Sequence, residues 1–150
     1  MSGNLTHPPA KIILQYLLDQ ALATQFDADS AWPVYLNYMP DGSDVVQNCL
    51  AVYDTSGVID GRLQYDGVFQ EGHGVQIKIR AIDDNTCRNK ANTIRNNFDT
   101  VVLRKIVTVD GTDYLLQAIN RTSDILRLGP RKETNSREYT LNLIASIALN

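Results

Sequence analysis

Apolar and polar residues alternate along residues 74–81, and the period changes immediately afterwards. In Gly-Val-Gln-Ile-Lys-Ile-Arg-Ala every second side chain is apolar, which is typical of a strand with one buried side. From Cys87 to Phe98 the apolar residues recur at spacings of four, three and four, which predicts a helix with one apolar stripe. Asp83 or Asp84 is suited to cap this helix, because a short carboxylate accepts free backbone N–H groups. The pattern predicts a strand followed by a helix as the centre of the fold.

Similar periodic patterns predict the other elements of the chain. An amphipathic helix is expected from Ala10 to about Thr24, with Pro8 and Pro9 tolerated in its first turn. The Asp110-Gly111 dipeptide lies between two β-rich runs, so it predicts a tight hairpin. The strand-like runs other than 74–81 are residues 32–38, 49–53, 105–109, 114–119, 124–128 and 139–149.

Together these elements predict one α+β domain. We expect a mixed, largely antiparallel sheet with two helices packed on it over residues 8–150, preceded by a flexible tail at residues 1–7. Residues 55–73 are the least regular stretch, with several glycines and a possible short strand at Tyr65 and residues 68–69. A connection of this length in a compact domain is usually functional.

Composition narrows the class of protein. The 150 residues carry a formal net charge of −3 with a pI near 5.2, which argues against a general nucleic-acid binder. No apolar run approaches the roughly 18 residues expected of a membrane span, and the first residues do not resemble a secretory signal. Cys49 and Cys87 lie in apolar segments, so we expect two buried, reduced thiols in a chain of cytosolic origin.

The sequence offers little that could carry chemistry. His7 and His73 have no partner at metal-ligand spacing, and no phosphate-binding glycine motif is present. A nucleophile constellation of Cys49, His73 and Asp54 can be drawn, but no oxyanion-forming motif accompanies it. Helix capping explains the pair Asp83-Asp84 better than a catalytic dyad does. We therefore expect no enzyme activity, no cofactor and no metal.

Basic side chains are the most notable polar feature. Their simplest interpretation is a solvated face, and the functional alternative is a set of ion pairs between assembling subunits. Lys78 and Arg80 are predicted on the face opposite the core, and Arg104 stands at the start of the first hairpin strand. A second group surrounds the 124–128 run. The candidate inter-subunit or docking contacts are Lys78, Arg80, Arg104, Arg127, Arg131 and Lys132.

Three motifs occur in an order that resembles one protein family. They are Val52-Tyr53-Asp54-Thr55-Ser56-Gly57, Asp60-Gly61-Arg62-Leu63 and His73-Gly74-Val75-Gln76-Ile77-Lys78-Ile79-Arg80. An alanine-bearing helix, the Asp-Gly hairpin, a Leu128-Gly129 turn and a final strand carrying Asn142 follow. This arrangement resembles the tail terminator (minor capsid or tail-completion) proteins of long-tailed bacteriophages over roughly residues 30–145. Residues 64–72 depart from the family pattern.

The resemblance implies a structural role in the virion. Such proteins form a hexameric ring on the head-proximal end of the tail tube and stop its polymerisation. The implied partners are further copies of the chain, the tail tube protein and the head-completion (stopper) protein. DNA would pass through the ring without specific binding, and an acidic protein suits that passage. The protein would be made in the host cytoplasm and would have no membrane partner.

Two alternatives remain open on the sequence. A head-tail stopper or neck protein would share a small α+β fold and ring symmetry. A small ligand-binding domain or enzyme, a different class of protein, would use residues 55–73 as a lid. The second alternative needs a pocket with convergent polar groups, for which the sequence shows no cluster.

Overall fold

The computed structural model describes residues 5–23, 32–39, 48–62, 69–100, 104–128 and 137–149, and shows two helices on one face of a seven-stranded sheet. The elements are α1 (Pro9–Asp19), β1 (Val34–Leu36), β2 (Cys49–Arg62), β3 (Phe69–Ala81), α2 (Asp84–Thr100), β4 (Lys105–Val109), β5 (Thr112–Arg121), β6 (Leu126–Arg127) and β7 (Arg137–Leu149). The strand order is β1-β2-β3-β7-β5-β4, and β6 also pairs with β7. Only β1 and β2 are parallel among these pairs, which confirms the predicted α+β class.

The core lies between the helices and the central strands β3 and β7. Ile77 pairs with Leu141 in register, and both side chains are completely buried. The alternation predicted for residues 74–81 and 139–149 is confirmed, because successive side chains in a strand point to opposite faces. Phe98 and the rest of the predicted stripe of α2 cover the same apolar face. Burial of these two matched faces is the main stabilising contribution to the fold.

Helix α1 is shorter than its sequence pattern predicts. Pro9 lies in the first turn, as expected, whereas Pro8 precedes the helix as its N-cap. The helix ends at Asp19 because Ala21 has a φ of 57°. A left-handed residue at this place stops a helix, and the Leu22 N–H then donates to the Leu17 carbonyl over 2.9 Å. Leu22 and Ala23 are buried just outside the helix, whereas Ala21 is exposed.

The described part of the predicted tail, residues 5–7, packs against the rest of the protein. The backbone N–H of His7 donates to the Tyr114 hydroxyl oxygen over 3.0 Å, and Nδ1 lies 2.6 Å from the same oxygen. Nε2 of His7 lies 3.4 Å from Asp110 Oδ2. Residues 5–7 are therefore attached to the β4–β5 hairpin, whereas the sequence suggests a flexible tail up to residue 7.

The sequence predicts an irregular loop at residues 55–73, and this prediction is wrong for the residues that the structure describes there. Residues 55–62 and 69–73 belong to β2 and β3, which form one long hairpin with register shifts between Thr55 and Val58 and between Ile59 and Gly61. Such bulges absorb extra residues without ending the pairing, so weak strand formers are accommodated. The conformation predicted at Tyr65 lies outside the described residues.

Two local predictions about turns and caps are confirmed. Asp110 and Gly111 have φ values of 49° and 83°, the two positive values that a tight Asp-Gly hairpin turn needs. Asp83 Oδ1 accepts the backbone N–H of Thr86 over 2.8 Å, so Asp83 caps α2. Neither described helix is long and apolar enough to cross a membrane.

Candidate assembly surfaces

The face of the sheet turned away from the helices, here called the outer face, carries a polar strip across three strands. Gln76 pairs in register with Tyr53 on β2 and with Asn142 on β7, and its Nε2 donates to Asn142 Oδ1 over 3.1 Å. Lys78 Nζ lies 5.5 Å from the centre of the Tyr53 ring, within the range of a cation–π contact. Lys78 is half-buried, so its ammonium group lies at the surface on the predicted face.

Arg80 lies on the outer face as its alternation predicts, but it is not accessible. Its exposed fraction is 4%, and it interacts within the protein. Thr140 and Tyr35, on the same end of this face, are also buried, with 3% and 6% exposed. The alternation of a strand predicts which face of the sheet a side chain lies on, but not whether other residues cover that face. The prediction of a surface contact at Arg80 is therefore wrong, because Arg80 is buried.

The remaining predicted basic residues lie in three different places. Arg104 is exposed at the start of β4 with a φ of 55°, and its N–H donates to the Gln117 carbonyl over 3.4 Å. Arg127 pairs through Nε with Asp84 Oδ1 at 3.0 Å. Arg131 and Lys132 lie outside the described residues. Among the described members of the predicted set, only Lys78 and Arg80 lie together, on the outer face. Arg104 and Arg127 lie apart from them and from each other.

The far end of the β2–β3 hairpin extends beyond the rest of the sheet. Residues 58–62 and 69–72, here called the arm, pair with each other, whereas pairing of β3 with β7 begins only at His73. On the other side, β1 pairs with β2 only through residues 50–52. Both outer edges of the arm therefore lack a strand partner among the described residues. Such edges present backbone N–H and C=O groups to a second chain.

A row of three ion pairs joins α2 to the end of β5 and the segment that follows it. Each pair holds an arginine on one element and an aspartate on the other. The pairs are Arg127 Nε–Asp84 Oδ1 at 3.0 Å, Arg95 Nη1–Asp124 Oδ1 at 2.9 Å and Arg121 Nε–Asp99 Oδ1 at 2.9 Å. The hydrogen bond from the backbone N–H of Ile125 lowers the pKa of Asp124 most, and the hydrogen bond from Arg95 lowers it further. The hydrogen bond to Asp99 raises the pKa of Arg121. Both charged states are therefore favoured at neutral pH.

A cleft of about 370 Å³ opens between two of these ion pairs. Its lining residues come from α2, from the segment at 124–127 and from β7. They are Arg88, Asn92, Arg95, Asp124, Ile125, Arg127 and Tyr139. The sequence pattern placed the helical members of this set away from the core and assigned them no role. A spacing of four and then three along α2 is the signal that sets Arg88, Asn92 and Arg95 on one helical face.

The drawn nucleophile constellation is not assembled. Cys49 and Asp54 are five residues apart on one strand, so their side chains point to opposite faces of the sheet. The Asp54 carboxylate instead accepts the backbone N–H of Ala10 over 2.8 Å in the first turn of α1. Both cysteines are free and buried, as predicted, and burial raises the pKa of Cys87 to about 12. Among the described residues no three His, Cys, Asp or Glu side chains are grouped to hold a metal.

Three surface features of the described residues remain as candidate sites. They are the polar strip on the outer face, the arm with its two unpartnered edges, and the arginine-lined cleft beside α2. None of the three is an apolar cavity that would enclose a small substrate. Compared with known proteins, the chain matches no protein-family model and no curated protein sequence.

Proposed function

We propose that the protein assembles into a ring that caps the head-proximal end of a bacteriophage tail tube. The ring would terminate polymerisation of the tube and present a docking surface to the head-completion protein. The resemblance in residues 52–57, 60–63 and 73–80 suggests this role, and the α+β fold is compatible with it. The function is binding, so it requires surfaces rather than a catalytic centre.

The observation that carries the proposal is the arm. Residues 58–62 and 69–72 form a two-stranded ribbon beyond the sheet, with no further strand beside either edge among the described residues. An isolated ribbon of this kind is only marginally stable by itself, and exposed edges tend to pair with another chain. A neighbouring copy of the protein would cover one edge and complete the hydrogen bonding.

Such a contact joins different surfaces of identical subunits. When a head-to-tail contact of this kind is repeated with a constant rotation, it closes into a ring if the rotation divides a full turn. Six copies are the number that the resemblance implies. In a closed ring every arm has a neighbour, whereas a single copy leaves its arm edges unpaired.

The polar strip of the outer face is the second candidate surface. It combines an ammonium group at Lys78 with the aromatic ring of Tyr53 and the paired amides of Gln76 and Asn142. Aromatic rings and fixed polar groups are common at protein interfaces, where they set orientation.

The net charge of −3 suits a ring through which DNA passes, because an acidic lining does not retain phosphates.

The test compares the protein with a variant that has a shortened arm. Residues 59–71 are replaced by Asn-Gly, which closes the hairpin directly between Val58 and Gly72, a pair in register. Light scattering after size exclusion gives the mass, and negative-stain imaging with purified tail tubes shows where the protein binds. We expect closed rings, or particles at one tube end, for the wild type only.

Circular dichroism and thermal unfolding of the shortened variant form the control, since a folded monomer must remain. Rings of unchanged size in a folded shortened variant would contradict the role of the arm. A wild-type monomer that ignores tubes would overturn the proposed function. Binding to head-completion protein but not to tubes would favour the stopper or neck role.

A further inference from the structure

The arginine-lined cleft beside α2 has one cationic side chain more than its carboxylates neutralise. Arg95 is paired with Asp124, and Arg127 is paired with Asp84. Within the described part of the chain Arg88 makes no ion pair, although it lines the same cleft. The site therefore presents a single uncompensated guanidinium group between two neutralised ones.

The nearest carboxylate on the same helix is already occupied. Asp84 lies one turn before Arg88, a spacing that commonly gives a pair on a helix. Its Oδ1 instead lies 3.0 Å from Arg127 Nε in an ion pair and accepts a hydrogen bond from the Tyr139 hydroxyl over 3.1 Å. The Tyr139 side chain is 5% exposed, so it holds Asp84 and the wall of the cleft in place. Arg88 is left to face the opening.

The other lining groups suit a small anionic group with an aliphatic stem. The Asn92 amide, one turn after Arg88, supplies a neutral hydrogen-bond donor, and Ile125 supplies an apolar surface. Arg95 and Arg127 are fixed by their aspartates at the two sides. Guanidinium groups bind carboxylates through two parallel hydrogen bonds, which gives both affinity and orientation.

From this arrangement we infer that the cleft is a binding site for a single glutamate or aspartate side chain in a peptide segment of a partner protein. The charges favour a carboxylate over a nucleic-acid backbone, because one excess positive charge matches one carboxylate. A phosphate chain would instead meet the fixed Asp84 and Asp124 beside the opening. The volume of about 370 Å³ accommodates a side chain and its immediate backbone, not a folded element.

The inference extends the proposed function by naming the chemistry of one docking partner, and the partner's place in a virion rests on that function. The two ideas fail separately, since peptide binding is measured without tubes or rings.

The experiment measures the fluorescence anisotropy of a labelled, acetylated and amidated peptide, in which a single glutamate is flanked by alanines, titrated with the protein at low salt. Arg88→Gln removes the unpaired charge on an exposed helical position and retains helix propensity. Lys105→Gln is the matched control, because it removes a cationic side chain that is half-buried and lies outside the cleft. We expect Arg88→Gln to weaken peptide binding about tenfold and Lys105→Gln to leave it unchanged.

Two further probes identify the bound chemistry. Inorganic phosphate and a short DNA duplex are added as competitors, and the arginine Nε–H signals are followed by NMR. Displacement of the peptide by DNA at lower concentration than by free glutamate would overturn the peptide assignment in favour of nucleic acid. Equal loss of binding in both variants, or no binding by the wild type, would show that the cleft is not a specific carboxylate site.

Discussion

The Tyr16 hydroxyl donates a hydrogen bond to Asn97 Oδ1 across the interface of the two helices, over 2.5 Å. The Tyr16 ring also stacks on Phe98 with the ring centres 5.6 Å apart. Tyr16 is 1% exposed, so this polar contact is made at the border of the core. It fixes how α1 and α2 lie side by side on the sheet, since the ring and the hydroxyl each engage α2.

Replacing Tyr16 with Phe should lower the free energy of unfolding by about 1 kcal/mol, because the stacking remains and only the hydrogen bond is lost. Urea denaturation at pH 7 measures the change. Tyr38→Phe, at a residue 56% exposed, is the control and should have no effect. An unchanged midpoint for Tyr16→Phe would show that the hydrogen bond adds nothing to the stacked rings.

The same side chain predicts a loss of stability at high pH. Burial raises the pKa of Tyr16 from 10.0 to about 12. Between these values the unfolded chain loses the proton and the folded protein keeps it, so this contribution is complete below pH 10 and is lost as pH rises to 12. The stability advantage of the wild type over Tyr16→Phe should therefore fall over this interval and reverse in sign, because the contribution lost exceeds the roughly 1 kcal/mol of the hydrogen bond. A constant difference would contradict the assigned cause.

Gly74 is predicted to tolerate no side chain. It pairs with Thr55 beside the bulge, and an added Cβ would lie within 3.0 Å of both Thr55 Oγ1 and the Ser56 carbonyl. Gly74→Ala should cost about 1–3 kcal/mol of unfolding free energy by overpacking against backbone. The control is Gly111→Asn, where no atom lies within 4 Å of the added Cβ and the φ of +83° suits Asn. Equal denaturation midpoints for the two variants would contradict this account.

Lys78 tests the outer face as an interface. Lys78→Glu reverses the charge beside the Tyr53 ring, removes the cation–π contact and leaves the core untouched. Ring formation, measured by light scattering, should weaken, and the thermal midpoint of the monomer should change little. Lys78→Arg keeps both the charge and the ring contact, so it should assemble as the wild type does. Rings that form equally well with Glu at this position would remove the outer face from the interface.

Much of the fold follows from local patterns in the sequence. The alternation around Ile77, the stripe ending at Phe98, the Asp110-Gly111 turn and the cap at Asp83 each reflect one secondary-structure element, so each could be predicted. Their physical cause is short-range, since periodicity, turn conformation and capping involve residues a few positions apart.

The features that were missed depend on residues far apart in the chain. Residues 55–62 contain weak strand formers, and their extended conformation comes from pairing with β3 across two bulges. Arg88 and Arg127 line one cleft only because β6 places Arg127 beside Asp84 at the start of α2. The burial of Arg80 similarly depends on what covers the outer face, which no alternation pattern contains. Sequence periodicity assigns faces, and tertiary contacts decide which faces become sites.

The position of β7 has a consequence for how the chain can fold during synthesis. This strand comes last among the described elements, yet it lies between β3 and β5 and pairs with both. Until residues 137–149 have left the ribosome, the β2–β3 hairpin and the β4–β5 hairpin have no strand to join them. The adjoining edges stay open, and contacts between distant parts of the chain make closure slow. On the proposed function, a neighbouring copy would meet a complete sheet only after this strand is inserted, so association would follow its translation.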